Sequence, residues 1–308
     1  ELVGLIEQTE LNAVVIDIKD YSGGIGFRTE NPQLLPYVSK KCGAADMKEF
    51  VKALHEKGIY VIGRITVFQD PLYTSARPEL AVKKATATST VWKDHKGLSF
   101  IDVGAKSFWE YIVTLSKESY AIGFDELNFD YIRFPSDGDM KDIAYMWSEG
   151  KTKQEALEEF FKYLHEQLKS IGVVTSADLF GMTATNQDDL NIGQVLERAL
   201  PYFDFIDPMV YPSHYPKGFN GYVDVNANAY NIVHFSMSEA VKRTVATTTP
   251  IASFAYTRIG TSTPAVYAKP AYPASKIRPW LQSFDYPVTY TAEMVKEQIQ
   301  ANIDAGLN

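Results

Sequence analysis

The chain has 308 residues, 45% apolar and 13% aromatic, enough to bury a large core, and a single domain of this length is expected to be a barrel. A net charge of −8 excludes the basic footprint of a nucleic-acid binder, and no run of about 18 apolar residues is available for a transmembrane segment. Cys42 stands alone, which excludes an intrachain disulfide and a cysteine-rich zinc site.

Residues 1–10 read as a helix with Leu2, Leu5 and Ile6 on one face. No signal peptide lies in these residues, and an upstream segment is expected. Asn12 to Asp20 is predicted as a strand, with Asp17 and Lys19 facing one way and Ile16 and Ile18 the other. Asp46 and Glu49, in capping-box spacing, open a helix with Met47, Phe50, Val51 and Leu54 on its apolar face and Gly58 as its stop. Ile59 to Val67 is a second strand, interrupted by Arg64. The connection from about 68 to 107, carrying Tyr73, Trp92, Asp94 and Phe100, is long enough to be expected as a lid or substrate wall. A helix follows around 108–119, with Trp109 expected in the core.

The next strand is the most informative. In Gly123-Phe-Asp-Glu-Leu-Asn-Phe-Asp-Tyr-Ile-Arg-Phe-Pro135, Glu126, Asn128 and Asp130 share one face and Leu127, Phe129 and Tyr131 the other. Parallel strands buried on both faces are nearly all Val, Ile and Leu, so this polar face is expected to border a wet or substrate-filled space. Further on, 152–170 is an amphipathic helix with Leu157, Phe160, Phe161, Leu164 and Leu168 at i, i+3, i+4, i+7 and i+11. Val173 to Asp178 is a strand, 190–200 a short helix, and Asp204 to Tyr211 a strand running into Pro212-Ser-His-Tyr215. A helix is predicted within 226–243, a strand at Pro250 to Tyr256, an aromatic, proline-rich loop at 257–290, and a final helix at 291–305.

Strands and helices thus alternate as a single domain over 1–308, the signature of a parallel α/β fold, either an open doubly wound sheet or a (β/α)8 TIM barrel. The barrel is favoured because polar residues gather at the C-terminal ends of several strands: Lys19, Asp130, Asp178 and Tyr211. Gly24-x-Gly26 followed by Thr29 does not match a dinucleotide fingerprint. Six strands are predicted where a barrel needs eight, so the first and last are expected to be missing or truncated in this chain.

Several blocks carry a resemblance. They are Val14-Ile-Asp-Ile-Lys-Asp, Trp92-Lys-Asp-His-Lys-Gly, Phe124-Asp-Glu-Leu-Asn-Phe-Asp-Tyr-Ile-Arg-Phe-Pro-Ser-Asp-Gly138, Ser176-Ala-Asp-Leu-Phe-Gly181, Pro208-Met-Val-Tyr-Pro-Ser-His-Tyr215 and Ile277-Arg-Pro-Trp-Leu-Gln282. Together they resemble the "putative glycosyl hydrolase domain" of bacterial secreted proteins, long catalogued as a domain of unknown function and grouped with the TIM-barrel glycosidases. The likeness runs over nearly the whole chain in order. Two departures are the missing end strands and Asp207, where a smaller residue, often Ser, is expected. The resemblance implies a polysaccharide substrate and an extracellular or cell-envelope location.

Glycoside hydrolysis needs two carboxyl groups flanking one bond, one ionised and one protonated. Asp130 is the best candidate for the ionised member, because Arg133 just beyond it is expected to lower its pKa. In several clans of retaining barrel glycosidases the nucleophile ends the fourth strand, and this strand is the fourth if one is missing upstream. Asp178 is the first choice of general acid, its apolar setting expected to raise its pKa, and Asp207 the second. Substrate contacts are expected from Asp17, Lys19, Arg64, Glu126, Asn128, Arg133, Tyr211, His214, Tyr215 and Trp280, with Glu126 orienting its neighbours rather than reacting.

Plainer roles stand beside these. Asp130 pairs structurally with Arg133 or Lys19, Asp178 caps the following turn, Asp17, Lys19 and Arg64 form a charge network beneath the site, and Trp280 anchors a loop. His55-Glu56 and His165-Glu166 lack a second histidine four residues on, and the run from Asp137 to Asp142 fails the EF-hand pattern, so no metal or cofactor is expected. Two functions remain: a glycoside hydrolase binding polysaccharide between loops 68–107 and 257–290, and a non-catalytic carbohydrate-binding barrel.

Overall fold

A computed structural model describes residues 2–307; Glu1 and the strand expected beyond the last helix lie outside the described residues. The chain divides into two compact units, one ending at Ser176 and the other beginning at Ala177. In chain order the elements of the first are α1 (Leu2–Ile6), β1 (Ala13–Lys19), α2 (Met47–His55), β2 (Tyr60–Thr66), α3 (Pro71–Ala76), α4 (Lys106–Ile122), β3 (Glu126–Asp130) and α5 (Lys153–Leu168). Strand β4 (Val174–Phe180) carries the chain across the boundary. The second unit then holds α6 (Leu196–Ala199), β5 (Phe205–Met209), α7 (Ala229–Val245), the short strands β6 (Thr248–Thr249), β7 (Thr257–Ile259) and β8 (Val266–Ala268), and α8 (Ala292–Asp304). Strands β1 to β5 follow one another in a parallel sheet, with helices between them. Among the described residues, no helix is long and apolar enough to cross a membrane.

Helix α5 forms where the apolar spacing puts it. Its stripe of Leu157, Phe160, Phe161, Leu164 and Leu168 is buried, and Phe160 meets Phe68 and Trp109 edge-on. Thr152 and Glu155 close a reciprocal capping box at its start. Asp46 and Glu49, at the same spacing before α2, make no such box. The backbone at Asp46 (φ −114°, ψ 24°) is not extended, and its side chain caps nothing.

Two expectations fail for physical reasons, and a third is sharpened. First, Asp17 and Lys19 do not share an environment. Asp17 pairs with Arg64 and Lys19 with Ile65, so the register slips between them and their side chains part: that of Asp17 is about half exposed, that of Lys19 fully enclosed. Second, the connection from 68 to 107, expected as a lid or substrate wall, is a packed layer rather than a structureless loop. Val82, Trp92 and Phe100 are buried in it, Met140, Ile143 and Tyr145 pack against them, and Trp92 donates its indole N–H to the Asp139 carbonyl. Gly138 belongs to this packing. It sits at φ +110° with the Trp92 ring where a Cβ would lie.

Third, Pro250 to Tyr256 is not a strand. Its backbone is spent on turns at Thr249 and Ser253, and Phe254 is exposed. The place beside β5 is taken by Ile277 to Trp280, which runs parallel to it. Pro279 disguises this segment in the sequence. Its missing N–H costs nothing, because the amides used are those of Arg278, donating to Ile206, and Trp280, donating to Pro208. Strands β6, β8 and β7 form a separate antiparallel sheet in that order. The second unit is also braced by Arg243, whose guanidinium grips the Glu197 carboxylate and the carbonyls of Thr183, Ala184 and Asn186.

Candidate active site

In the first unit the polar residues of β3 fall into two environments. Glu126 and Asn128 are wholly enclosed among protein side chains. Asn128 donates to Ser176 Oγ (3.0 Å), Ser176 donates to Glu126 Oε1 (2.5 Å), and Tyr60 Oη reaches Glu126 Oε2 (3.3 Å). This ladder satisfies groups that burial would otherwise penalise, and it fits Glu126 as a support. Asp130 ends the strand at the surface end of the ladder, beside Thr66 of β2 in register. Its Oδ1 accepts the Tyr131 N–H (2.6 Å), and Arg64 Nη1 lies 4.0 Å from its Oδ2. Arg64 is itself held by Asp17, Nε to Oδ1 at 2.8 Å. The three charges form a line from β1 through β2 to β3.

Burial pushes the Asp130 carboxyl above its ordinary value, and Arg64, the Tyr131 N–H and Arg133 only partly offset it. This reverses the direction expected from Arg133 alone. The sequence displayed the cation but not the degree of burial. Tyr131, immediately after the carboxylate, adopts φ +51°, the left-handed region that costs a bulky residue energy and marks functional sites. Its ring packs 4.9 Å from the Arg133 guanidinium, which also lies over Phe100 and donates to the Phe134 carbonyl. Tyr131 and Arg133 border a pocket of about 330 Å3 with Tyr21, Gln69, Asp94 and Asp137. Sequence reasoning missed Tyr21, Gln69 and Asp137 as its neighbours, since they lie on three separate segments with no shared pattern.

Lys19 does not reach this pocket. Its ammonium is enclosed between Asp70 Oδ2 (2.9 Å) and the Thr66 carbonyl (2.6 Å). Asp70 in turn caps α3 through the Tyr73 N–H, and Gly23 leaves room for its carboxylate. Lys19 therefore braces the turn after β2, whose Gln69 lines the pocket.

In the second unit, Asp178 lies within β4 and Asp207 within β5, both buried. Asp178 is not the cap of the following turn, where Phe180 holds that position. The segment 277–280 reaches both carboxylates by strand alternation: Trp280 donates its indole N–H to Asp178 Oδ1 (2.7 Å), and Arg278 Nη2 meets Asp207 Oδ2 (2.9 Å). Trp280 is thus a partner of a carboxylate rather than a bare loop anchor. Tyr211 and His214 follow β5 in ring contact at 5.4 Å. Tyr215 is a core ring, 5% exposed and packed on Phe219.

The five parallel strands and their alternating helices define a fold class, part of a (β/α)8 barrel. The glycoside hydrolase domain of PgaB (BpsB) from Bordetella bronchiseptica is similar in fold over 99% of this chain and 84% of its own, with TM-score 0.64 and 14% identity. An α-galactosidase from Thermus thermophilus, in complex with p-nitrophenyl α-D-galactopyranoside, is similar over 99% of this chain at 10% identity and TM-score 0.55; the match spans 52% of that enzyme. A hypothetical protein from Ruminiclostridium thermocellum is 36% identical over 62% of this chain and 90% of its own, with TM-score 0.52. No curated protein matches. The chain belongs to the family described as "Putative glycosyl hydrolase domain", whose model matches residues 1–308.

Proposed function

We propose that the protein hydrolyses glycosidic bonds of a polysaccharide with retention of configuration, outside the cytoplasm, using Asp130 as nucleophile and Asp178 as general acid. The observation that carries this reading is the setting of Asp130: a strand-end carboxylate receiving a backbone N–H and facing a guanidinium, directly before Tyr131, which lines a pocket. Asp130 attacks the anomeric carbon as the glycosidic C–O bond breaks, and the Asp178 proton passes to the leaving oxygen. In the second half, Asp178 takes a proton from water, which attacks the same carbon and releases Asp130. Asp207 is the second choice because its carboxylate is ion-paired with Arg278 at 2.9 Å. A carboxylate paired with a permanent cation is a poor proton donor.

The test is sugar release by wild type, Asp130→Asn, Asp178→Asn and Asp207→Asn on bacterial and plant polysaccharides. It is joined by NMR of the first anomer formed and mass spectrometry after treatment with 2-fluoroglycosyl fluorides. A fluoroglycosyl ester on Asp130 and a retained anomer are expected. Equal release by wild type and Asp130→Asn removes Asp130 from the chemistry, and binding without release by wild type leaves the non-catalytic barrel. Recovery of the protein only from cytoplasmic fractions of its source removes the proposed location.

One observation favours a second reading. Burial raises the Asp130 carboxyl, which suits the proton donor instead. The pH profile of an Arg64 variant separates the two, as described below.

A further inference from the structure

The loop that follows the Ile277–Trp280 segment exposes large aromatic rings that none of the chemistry above uses. Phe284 is 43% exposed and Tyr286 58%. They stand against the residues that follow β5, with His214 as the hub: its ring is 5.4 Å from Tyr211, 6.2 Å from Phe284 and 5.9 Å from Tyr286. Tyr211 and Phe284 close the group edge-on at 5.2 Å. A contiguous patch of exposed rings on a protein surface marks a binding site more often than single scattered residues do.

The patch is built rather than loose. Gln282 is completely buried, and its side-chain amide donates to the carbonyls of both Phe284 and Tyr286 while its Oε1 accepts the Ser213 N–H. Buried Gln298 of α8 exchanges two further hydrogen bonds with the Gln282 backbone. One enclosed side chain therefore fixes both strips of sequence that carry the rings. Fixed rings lose little freedom on binding, which favours affinity. Burial also keeps His214 neutral over a wider pH range by lowering its pKa, so the hub brings no charge at neutral pH.

Both strips are continuous with the candidate chemistry of the second unit. Tyr211 and His214 come just after β5, which carries Asp207, and Phe284 and Tyr286 come just after the segment whose Arg278 and Trp280 hold Asp207 and Asp178. In barrel enzymes the segments leaving the C-terminal ends of strands form the substrate-binding face. We infer that Phe284 and Tyr286, set on His214 and Tyr211, form a stacking subsite for a neutral pyranose ring of the polysaccharide. The apolar face of the ring lies on the aromatic surface, and its equatorial hydroxyls point to solvent and to the Ser213–His214 strip. This deepens the proposed function and rests on it for the nature of the substrate.

The experiment is affinity gel electrophoresis of the full chain in soluble xylan, mixed-linkage β-glucan, dextran and galactomannan, with Phe284→Ala, Tyr286→Ala and the double variant. Melting curves and light scattering are recorded on each. Each single variant is expected to bind its polysaccharide about tenfold more weakly and the double variant to run unretarded, while Phe284→Trp retains or tightens binding. Equal retardation of wild type and the double variant overturns the subsite, whether or not wild type hydrolyses the polymer. Loss of binding in the double variant, with no hydrolysis by wild type, upholds the subsite and removes the enzyme. Absence of both binding and hydrolysis by wild type removes both. A wild-type dimer that the double variant dissolves assigns the rings to self-association and overturns the proposal.

Discussion

The two units hold their acids in different ways. In the first, Asp130 is placed by its own sheet: Thr66 beside it in register, Arg64 two residues earlier on the same strand, and Asp17 beyond. In the second, Asp178 and Asp207 are held by Trp280 and Arg278, residues 102 and 71 positions down the chain. The lesson concerns placement. Asp130 draws on contacts within neighbouring strands, whereas Asp178 and Asp207 each add a contact that forms only when residues 277–280 dock.

The sharpest test of this contrast is Asp130→Asn. If Asp130 is the nucleophile, kcat should fall by roughly 10³-fold or more, with the melting temperature little changed. A fall in melting temperature large enough to account for the lost activity breaks the distinction between placement and chemistry. Next in size, Lys19→Met strips Asp70 of its partner inside the first unit. Leaving a buried charge unpaired costs about 3–5 kcal/mol, to be read from urea denaturation. A loss under about 1 kcal/mol, the value of an exposed pair, would show that the brace is not enclosed as described.

Trp280→Phe keeps a ring beside Asp178 but removes the donor. We expect kcat to drop about 10- to 100-fold with KM nearly unchanged. If KM rises and kcat stays, Trp280 serves sugar binding and not Asp178. The smallest expected effect is on pH dependence. Asp130 titrates above its ordinary 3.8, so an ionised nucleophile is lost as pH falls through that raised value. Arg64→Gln removes the strongest opposing influence and moves the acid limb of kcat/KM to still higher pH. If the alkaline limb moves instead, Asp130 is the proton donor.

The parallel alternation, the stripe of α5 and the polar strand β3 were all legible in the sequence, because each rests on a period of 2 or 3.6 within one segment. Asp130 at a strand end was legible for the same reason. The direction of its pKa was not, since burial is a property of neighbours and the sequence displays only the nearby arginine. The separation of Lys19 from Asp17 was hidden by a one-residue slip in register. The parallel segment 277–280 was hidden by Pro279, and Pro250 to Tyr256 imitated a strand although its backbone turns at Thr249 and Ser253. The aromatic platform was half visible in Tyr211 and His214. Its other half became recognisable only through Gln282, whose role depends on contacts 69 residues away.

Tyr131 sits in a conformation that a glycine adopts freely. Replacing it with glycine would relieve about 1 kcal/mol of backbone strain, yet the looser unfolded chain would take back a comparable amount. The two backbone effects therefore roughly cancel. What disappears is the ring laid on Arg133 at the rim of the pocket. The position thus trades a backbone that glycine would relax for a ring contact that only the tyrosine side chain supplies.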